Sequence, residues 1–120
     1  MSGPGLKIKI QIYCGDEIAM GPGKADLLDA IASEGSISAA GRKLKMSYRR
    51  CWMLVDVMNR CWAQPLVATS SEGAALTTLG QSVLAQYRAL QAAAQGAASG
   101  GAWPELAEQL RGEPLPVQGG

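Results

Sequence analysis

The chain has 120 residues, and its 11 lysines and arginines against 10 aspartates and glutamates give a formal net charge of +1. This length supports one hydrophobic core and therefore one domain. Histidine, the commonest general base and metal ligand, is absent, so we expect no enzyme activity, no metal and no cofactor. No apolar run approaches the roughly 20 residues of a membrane-spanning helix, and the N-terminus lacks the apolar core of a signal peptide, so we expect a cytoplasmic protein without a membrane partner.

The N-terminal part of the chain predicts a β-hairpin. Residues 1–5 are expected to be a disordered lead-in. From Leu6 to Tyr13, apolar and polar residues alternate strictly, which is typical of a half-buried strand. A turn at Gly15 and Asp16 and a short return strand from Glu17 to Met20 complete the hairpin.

A helix is predicted from about Lys24 to Ser33, with Leu27, Leu28 and Ile31 on its buried face. Asp26 and Asp29 lie on the same helix. They could share a proton, or they could belong to a solvated outer face, and we favour the second interpretation. The three cysteines are odd in number and show no CxxC spacing, so we expect small reduced core residues at Cys14, Cys51 and Cys61.

The segment from Gly35 to Trp62 contains two helical patterns separated by about three residues, which predicts a helix-turn-helix. Ser36 or Ser38 can cap the first helix, Lys45 and Met46 form the turn, and Ser47 can cap the second helix. The residues expected on the buried faces are Ile37, Ala40 and Leu44 in the first helix and Cys51, Leu54, Val55, Met58 and Trp62 in the second.

The positive charge of the chain is concentrated in this segment. Five cations lie between Gly35 and Val55 without an acidic residue among them: Arg42, Lys43, Lys45, Arg49 and Arg50. A cationic helix N-terminus suits phosphate, and in a helix-turn-helix the first turn of the second helix faces base edges in the major groove. The alternative is ordinary solvated charge, but solvated charge is usually mixed in sign.

After Pro65, two extended pieces at 66–69 and 74–77 are joined by residues 70–73, and a hairpin at this place is a wing. Thr77 or Thr78 can then cap a helix that runs to about Gln95. Its apolar stripe is broader than one small domain needs, so we expect a dimer interface formed by Leu79, Val83, Tyr87 and Leu90. Residues 6–95 would form the domain, and residues 96–120 a flexible tail with at most a short helix around 105–111.

Four short motifs carry a family resemblance: GSIS at 35–38, SYRRCW at 47–52, VDVMN at 55–59 and LTTLG at 76–80. Over about residues 6–90 the chain resembles the N-terminal DNA-binding domain of the ModE-type molybdate-responsive regulators, which are related to LysR-type regulators. The resemblance implies a mainly α fold with small β elements, a winged helix-turn-helix that binds an operator as a homodimer. Two departures stand out. The wing is short, with Glu72 as its one charge, and the chain ends too early for a molybdate-binding module, so we expect no molybdate site within it.

The candidate DNA contacts are therefore in the two helices, the turn and the wing. Arg49 and Arg50 are expected to contact bases, because a guanidinium can donate two hydrogen bonds to guanine. The cations Arg42, Lys43 and Lys45 are expected to contact phosphate. The other candidate DNA contacts are Ser38, Ser47, Tyr48, Trp52, Met53, Thr69, Ser70 and Ser71. For Ser47 capping alone, and for Tyr48 and Trp52 core packing, stay open as alternatives. The partner would be double-stranded DNA with an inverted repeat, and the competing function is a winged-helix protein-interaction module that has lost DNA binding.

Overall fold

The computed structural model describes residues 5–117. The elements in chain order are β1 Ile12–Cys14, β2 Glu17–Met20, α1 Pro22–Glu34, α2 Ile37–Leu44, α3 Tyr48–Cys61, β3 Val67–Ser70, β4 Gly73–Leu76, α4 Thr78–Ser99 and α5 Trp103–Gln109. Lys9–Leu90 form one compact unit, and the described residues before and after this range form a second. The predicted class, a mainly α winged helix-turn-helix with small β elements, is confirmed.

The N-terminal hairpin is present, but it is shorter than the alternation predicts. β1 and β2 pair antiparallel, with Cys14 opposite Glu17 and a bulge between Ile12 and Tyr13. The prediction of a strand from Leu6 is wrong for residues 6–11, although their side chains still alternate between half-buried and exposed. β2 has only four residues before α1 begins, so these residues have no strand to pair with.

Helix α1 supplies the largest share of the core, with Leu27, Leu28 and Ile31 fully buried as expected. Pro22 starts the helix, where its missing N–H is not needed, and Gly35 ends it with a left-handed φ of 76° and an N–H that donates to Ile31 O. Asp26 and Asp29 both accept hydrogen bonds from the Arg88 Nη2 of α4. The two carboxylates therefore share a guanidinium instead of a proton.

The cysteines differ from one another. Cys51 is fully buried, and burial raises the pKa of its thiol, which agrees with a small core residue. Cys61 is only partly buried and Cys14 is exposed, so the expectation of a core residue is wrong for Cys14. Cys14 lies at the end of a three-residue strand, and its exposed thiol forms a hydrogen bond with that of Cys61 in α3. Burial, and then this hydrogen bond, raise the pKa of Cys61.

The wing is fixed against the corner between α1 and α2. β3 and β4 pair from Val67 opposite Leu76 to Ser70 opposite Gly73, close to the predicted pieces. Gly73 has a φ of 131°, and a Cβ there would overlap with the carbonyl oxygen of Gly35. The next residue, Ala74, donates its N–H to that same oxygen at 2.9 Å. Glycine at position 73 thus allows the wing to approach the helices.

Helix α4 begins after Thr77, whose Oγ1 accepts a hydrogen bond from the Gly80 N–H at 2.9 Å, and it extends to Ser99. Val83 and Tyr87 are buried in the core of their own unit, and the Tyr87 hydroxyl donates to Ile10 O at 2.7 Å. The prediction that the apolar stripe of this helix is left exposed in a single chain is therefore wrong for these two residues. Leu90 is different, because 46% of it is exposed.

In the second unit, α5 covers much of the range in which a short helix was expected. Leu106 and Leu110 are exposed there. The flexibility of residues 96–120 stays a prediction. Of the expected lead-in, residues 1–4 lie outside the described residues, and Gly5 is exposed.

Candidate nucleic-acid interface

The helix-turn-helix is built from a capped first helix and a tight turn. Ser36, not Ser38, caps α2, since its Oγ accepts the Ala39 N–H at 3.0 Å. Lys45 ends the helix with a left-handed φ of 58°, and the Met46 N–H then donates to Gly41 O at 2.8 Å. A Cβ at Gly41 would lie 2.9 Å from the Cys51 Sγ, so glycine allows α2 to approach α3 closely.

The first turn of α3 presents its cations to solvent. The Ser47 Oγ accepts the Arg50 N–H at 3.1 Å, which establishes the predicted cap. Tyr48, Arg49 and Arg50 are exposed, while Cys51, Val55 and Met58 form the buried face of the helix. A phosphate contact by Ser47 in addition to the cap stays a prediction.

The aromatic side chains of α3 lie on the exposed side. Tyr48 is 56% and Trp52 38% exposed, and their ring centroids are 6.1 Å apart in an edge-to-face arrangement. Core packing, the competing interpretation of both residues, therefore does not describe their environment. Met53 is also exposed, one turn beyond Arg49 and Arg50.

A shallow groove of about 180 Å³ brings several predicted residues together. Its polar walls are the start of α2, the exposed aromatic pair of α3 and the wing: Ser36, Ser38, Tyr48, Trp52, Thr69 and Ser70. The Ser70 Oγ accepts the Glu72 N–H at 3.1 Å, so this hydroxyl also holds the wing turn. Ser71 is exposed at the turn itself and does not line the groove. Hydroxyl groups, aromatic edges and helix-start amides are all suited to sugar and phosphate.

The cations are not equivalent. Lys43 Nζ lies 3.6 Å from the Glu34 carboxylate and donates to the Ser33 Oγ at 3.2 Å, so its charge is partly neutralised by α1. Arg42 lies beside Ser38 and Tyr48, and Lys45 is exposed at the turn. Within residues 5–117, the cations Arg42, Lys45, Arg49 and Arg50 form no ion pair with a carboxylate.

Arg49 and Arg50 also differ from each other. Arg50 lines a separate cavity together with Lys9 and Lys24, which Arg49 does not line. Burial lowers the pKa of Lys24 below its ordinary value; the charge of Glu17 opposes this shift, and the charge of Arg50 adds to it more weakly.

Asn59 is a positioning residue that the sequence reasoning missed. Its Oδ1 accepts the N–H groups of Leu66 at 2.9 Å and Val67 at 3.0 Å, and its Nδ2 donates to Val67 O at 3.1 Å. The side chain of Asn59 thereby joins α3 to β3, the first strand of the wing. One signal could have found it: Asn59 is an amide four residues after Val55, on a helix face that is otherwise apolar.

Other kinds of site are not found in the described part of the chain. Residues 5–117 contain no cluster of three or more His, Cys, Asp or Glu side chains placed to hold a metal ion. None of the helices in this range has the length and apolar character needed to cross a membrane.

Comparison with protein families places the helical region. The family described as bacterial regulatory helix-turn-helix protein, LysR family, matches residues 24–81. Curated relatives include the molybdenum-pterin-binding protein MopB of Rhodobacter capsulatus, which is 40% identical over 78 residues, and the molybdenum transport protein ModE of Azotobacter vinelandii, 38% identical over 76 residues. These alignments cover 61% and 59% of this chain but only 29% and 28% of the relatives, so the chain spans less than a third of their length.

Solved structures show the same fold. A crystal structure of the CbnR DNA-binding domain in complex with DNA has a TM-score of 0.56 at 22% identity, covering 68% of this chain and 94% of that one. Full-length CbnR, a LysR family transcriptional regulator, gives a TM-score of 0.53 at 22% identity, covering 66% of this chain and 28% of that one. The segment 24–81 therefore resembles the helix-turn-helix of LysR-family regulators, and the chain is similar to the corresponding part of the ModE and Mop proteins.

Proposed function

We propose that this chain is the DNA-binding part of a transcription regulator, with α3 in the major groove. One observation carries the proposal: the capped first turn of α3 holds two exposed arginines that form no ion pair within the described residues. Two unpaired guanidinium groups beside a helix N-terminus form a site for guanine edges and phosphate. The wing with Glu72 as its one charge and the net charge of +1 would suit the alternative, a protein-interaction module, but that alternative does not account for the cations concentrated at the start of α3.

The groove between α2, α3 and the wing supplies the backbone contacts. Its hydroxyl groups and the amides at the start of α2 can bind phosphates on the strand beside the major groove. Glu72 gives the wing a negative charge, so Thr69 and Ser70 contribute hydrogen bonds without cationic attraction. Affinity then depends mainly on the helices.

We also propose that the chain acts as a homodimer on an inverted repeat, with half-sites spaced by about 10 base pairs or a multiple. Val83 and Tyr87 are buried within the chain and cannot form this interface. Of the expected stripe, the exposed Leu90 supports it, and the partly buried Leu79 can lie at its edge. We carry over from the relatives only the DNA-binding role, because the shared region covers less than a third of their length.

The test begins with a selection of duplexes from a random pool by the full chain. The enriched duplex and an unrelated duplex of equal length are then titrated by fluorescence anisotropy at two salt concentrations. DNA binding predicts enrichment of a repeat and an affinity that falls steeply with salt, because counterions are released from each contacted phosphate. No enrichment, with equally weak binding of all duplexes, would support the protein-interaction module instead.

A further inference from the structure

The three cations around the separate cavity come from different parts of the chain. Lys9 precedes β1, Lys24 lies in the first turn of α1 and Arg50 in the first turn of α3, and together they line a cavity of about 230 Å³. Gln11 adds an amide to the same wall. None of the three cations forms an ion pair with a carboxylate among residues 5–117. No ion pair in that range neutralises them, although the charge of Glu17 acts on Lys24 more strongly than that of Arg50 does.

The start of α1 forms another wall of this cavity. Gly21 is the N-cap residue and offers no side chain to accept a hydrogen bond, and Pro22 has no N–H. The amides of Gly23 and Lys24 consequently lack a capping side chain, while the helix dipole adds partial positive charge at the same place. Glu17, the acidic residue whose charge reaches Lys24, lies 3.8 Å from Arg60. The cavity walls named here carry no acidic side chain.

We infer that this cavity binds a phosphate group through Lys9, Lys24 and Arg50, and that in the complex with DNA this group belongs to the strand backbone. The inference rests on the proposed function. It changes the expected role of Arg50 from base contact to backbone contact, because its partners in the cavity are lysines that hold an anion without reading sequence. Arg49, which does not line the cavity, is left to read bases. Lys9, outside the matched helix-turn-helix segment, would be part of the interface.

The chain offers a matched control for the test. Lys7 and Lys9 are both exposed and lie two residues apart, but only Lys9 lines the cavity. Lys9→Gln, Lys24→Gln and Lys7→Gln are titrated against the selected duplex and an unrelated duplex at 50 and 200 mM salt. The salt slope is the slope of the logarithm of the binding constant against the logarithm of the salt concentration. Each lost phosphate contact should lower its magnitude by about 0.9. The ratio of the affinity at 50 mM to that at 200 mM salt then becomes about three- to fourfold smaller.

We expect Lys9→Gln and Lys24→Gln to lower the affinity for both duplexes by the same factor. Lys7→Gln should bind both duplexes as the wild type does. If all three variants match the wild type while Arg49→Ala still loses selectivity, the cavity is not a phosphate site although the chain binds DNA. A loss confined to the selected duplex would also overturn the inference, because it would mean that these side chains read bases.

A second arm does not depend on DNA. Inorganic phosphate is titrated into the full chain while the amide resonances of Gly23 and Lys24 are followed by NMR, with sodium chloride added to equal ionic strength in the reference. A saturable shift that disappears in Lys24→Gln supports an anion site for free phosphate even if no duplex is bound. If the Lys9 and Lys24 variants bind both duplexes and phosphate as the wild type does, the inference is wrong.

Discussion

Asn59 and Val67 are joined by two hydrogen bonds in opposite directions: the Val67 N–H donates to Asn59 Oδ1 at 3.0 Å, and Asn59 Nδ2 donates to Val67 O at 3.1 Å. Since Asn59 lies in α3 and Val67 begins β3, one amide side chain fixes the distance between α3 and the wing. A DNA-binding surface assembled from both elements depends on this link.

Replacing Asn59 with alanine should therefore lower both stability and DNA affinity. The change leaves the N–H groups of Leu66 and Val67 and one carbonyl without partners in a part-buried place, which we expect to cost about 2–3 kcal/mol. Urea denaturation measures the loss, and Gln64→Ala, an exposed amide outside the helices, is the matched control. Equal stability of the two variants would contradict the role given to Asn59.

Gly80 and Gly96 should respond in opposite ways to alanine. Both lie in α4, but a Cβ at Gly80 would overlap with the carbonyl oxygen of Leu66, whereas nothing lies within 4 Å of a Cβ at Gly96. Gly96→Ala should raise stability by about 0.5–1 kcal/mol through helix propensity. Gly80→Ala should lower it by several kcal/mol, because the backbone of Leu66 must move. Urea midpoints that shift in the same direction would refute this packing.

The sequence predicted those features that depend on neighbouring residues. Ser47 was predicted as a cap, and the structure decides between the two candidates that the sequence offered for each of the other helices, in favour of Ser36 and Thr77. The sequence could not reveal contacts between distant segments. The pairing of Lys43 with Glu34, the shared binding of Arg88 by two aspartates and the burial of Tyr87 beneath Ile10 all depend on tertiary packing. For the same reason the sequence did not distinguish Arg49 from Arg50.

Lys43 and Lys45 should contribute unequally to DNA binding. Both were expected to contact phosphate, but Lys43 is held by Glu34 and Ser33, while Lys45 forms no ion pair among the described residues. Lys45→Ala should lower the salt slope by about one unit for all duplexes, and Lys43→Ala by less. Anisotropy titrations across a salt series measure both slopes. A larger change for Lys43→Ala would mean that its ion pair opens when DNA binds.

The homodimer is tested at Leu90 instead of Val83, because a charge at the buried Val83 would unfold the chain. Sedimentation at micromolar concentration should show a dimer for the wild type and a monomer for Leu90→Asp. The variant should remain folded, because Leu90 is exposed and not part of the core. Ala85→Asp is the control, since it is also exposed on α4 but about 140° away around the helix. A monomeric wild type would remove the proposed interface, and an unaffected Leu90→Asp dimer would place it elsewhere.

The central claim is that the first turn of α3 reads DNA sequence, and the ratio of affinities for the selected and the unrelated duplex tests it most directly. We measure this ratio for the wild type, for Arg49→Ala with Arg50→Ala, and for Arg111→Ala, which removes one charge from the exposed tail. Loss of a bidentate contact to guanine removes roughly 1–3 kcal/mol of discrimination, so the double variant should bind both duplexes almost equally while keeping the circular dichroism spectrum of the wild type. If the double variant kept the wild-type ratio, α3 would not be the recognition helix.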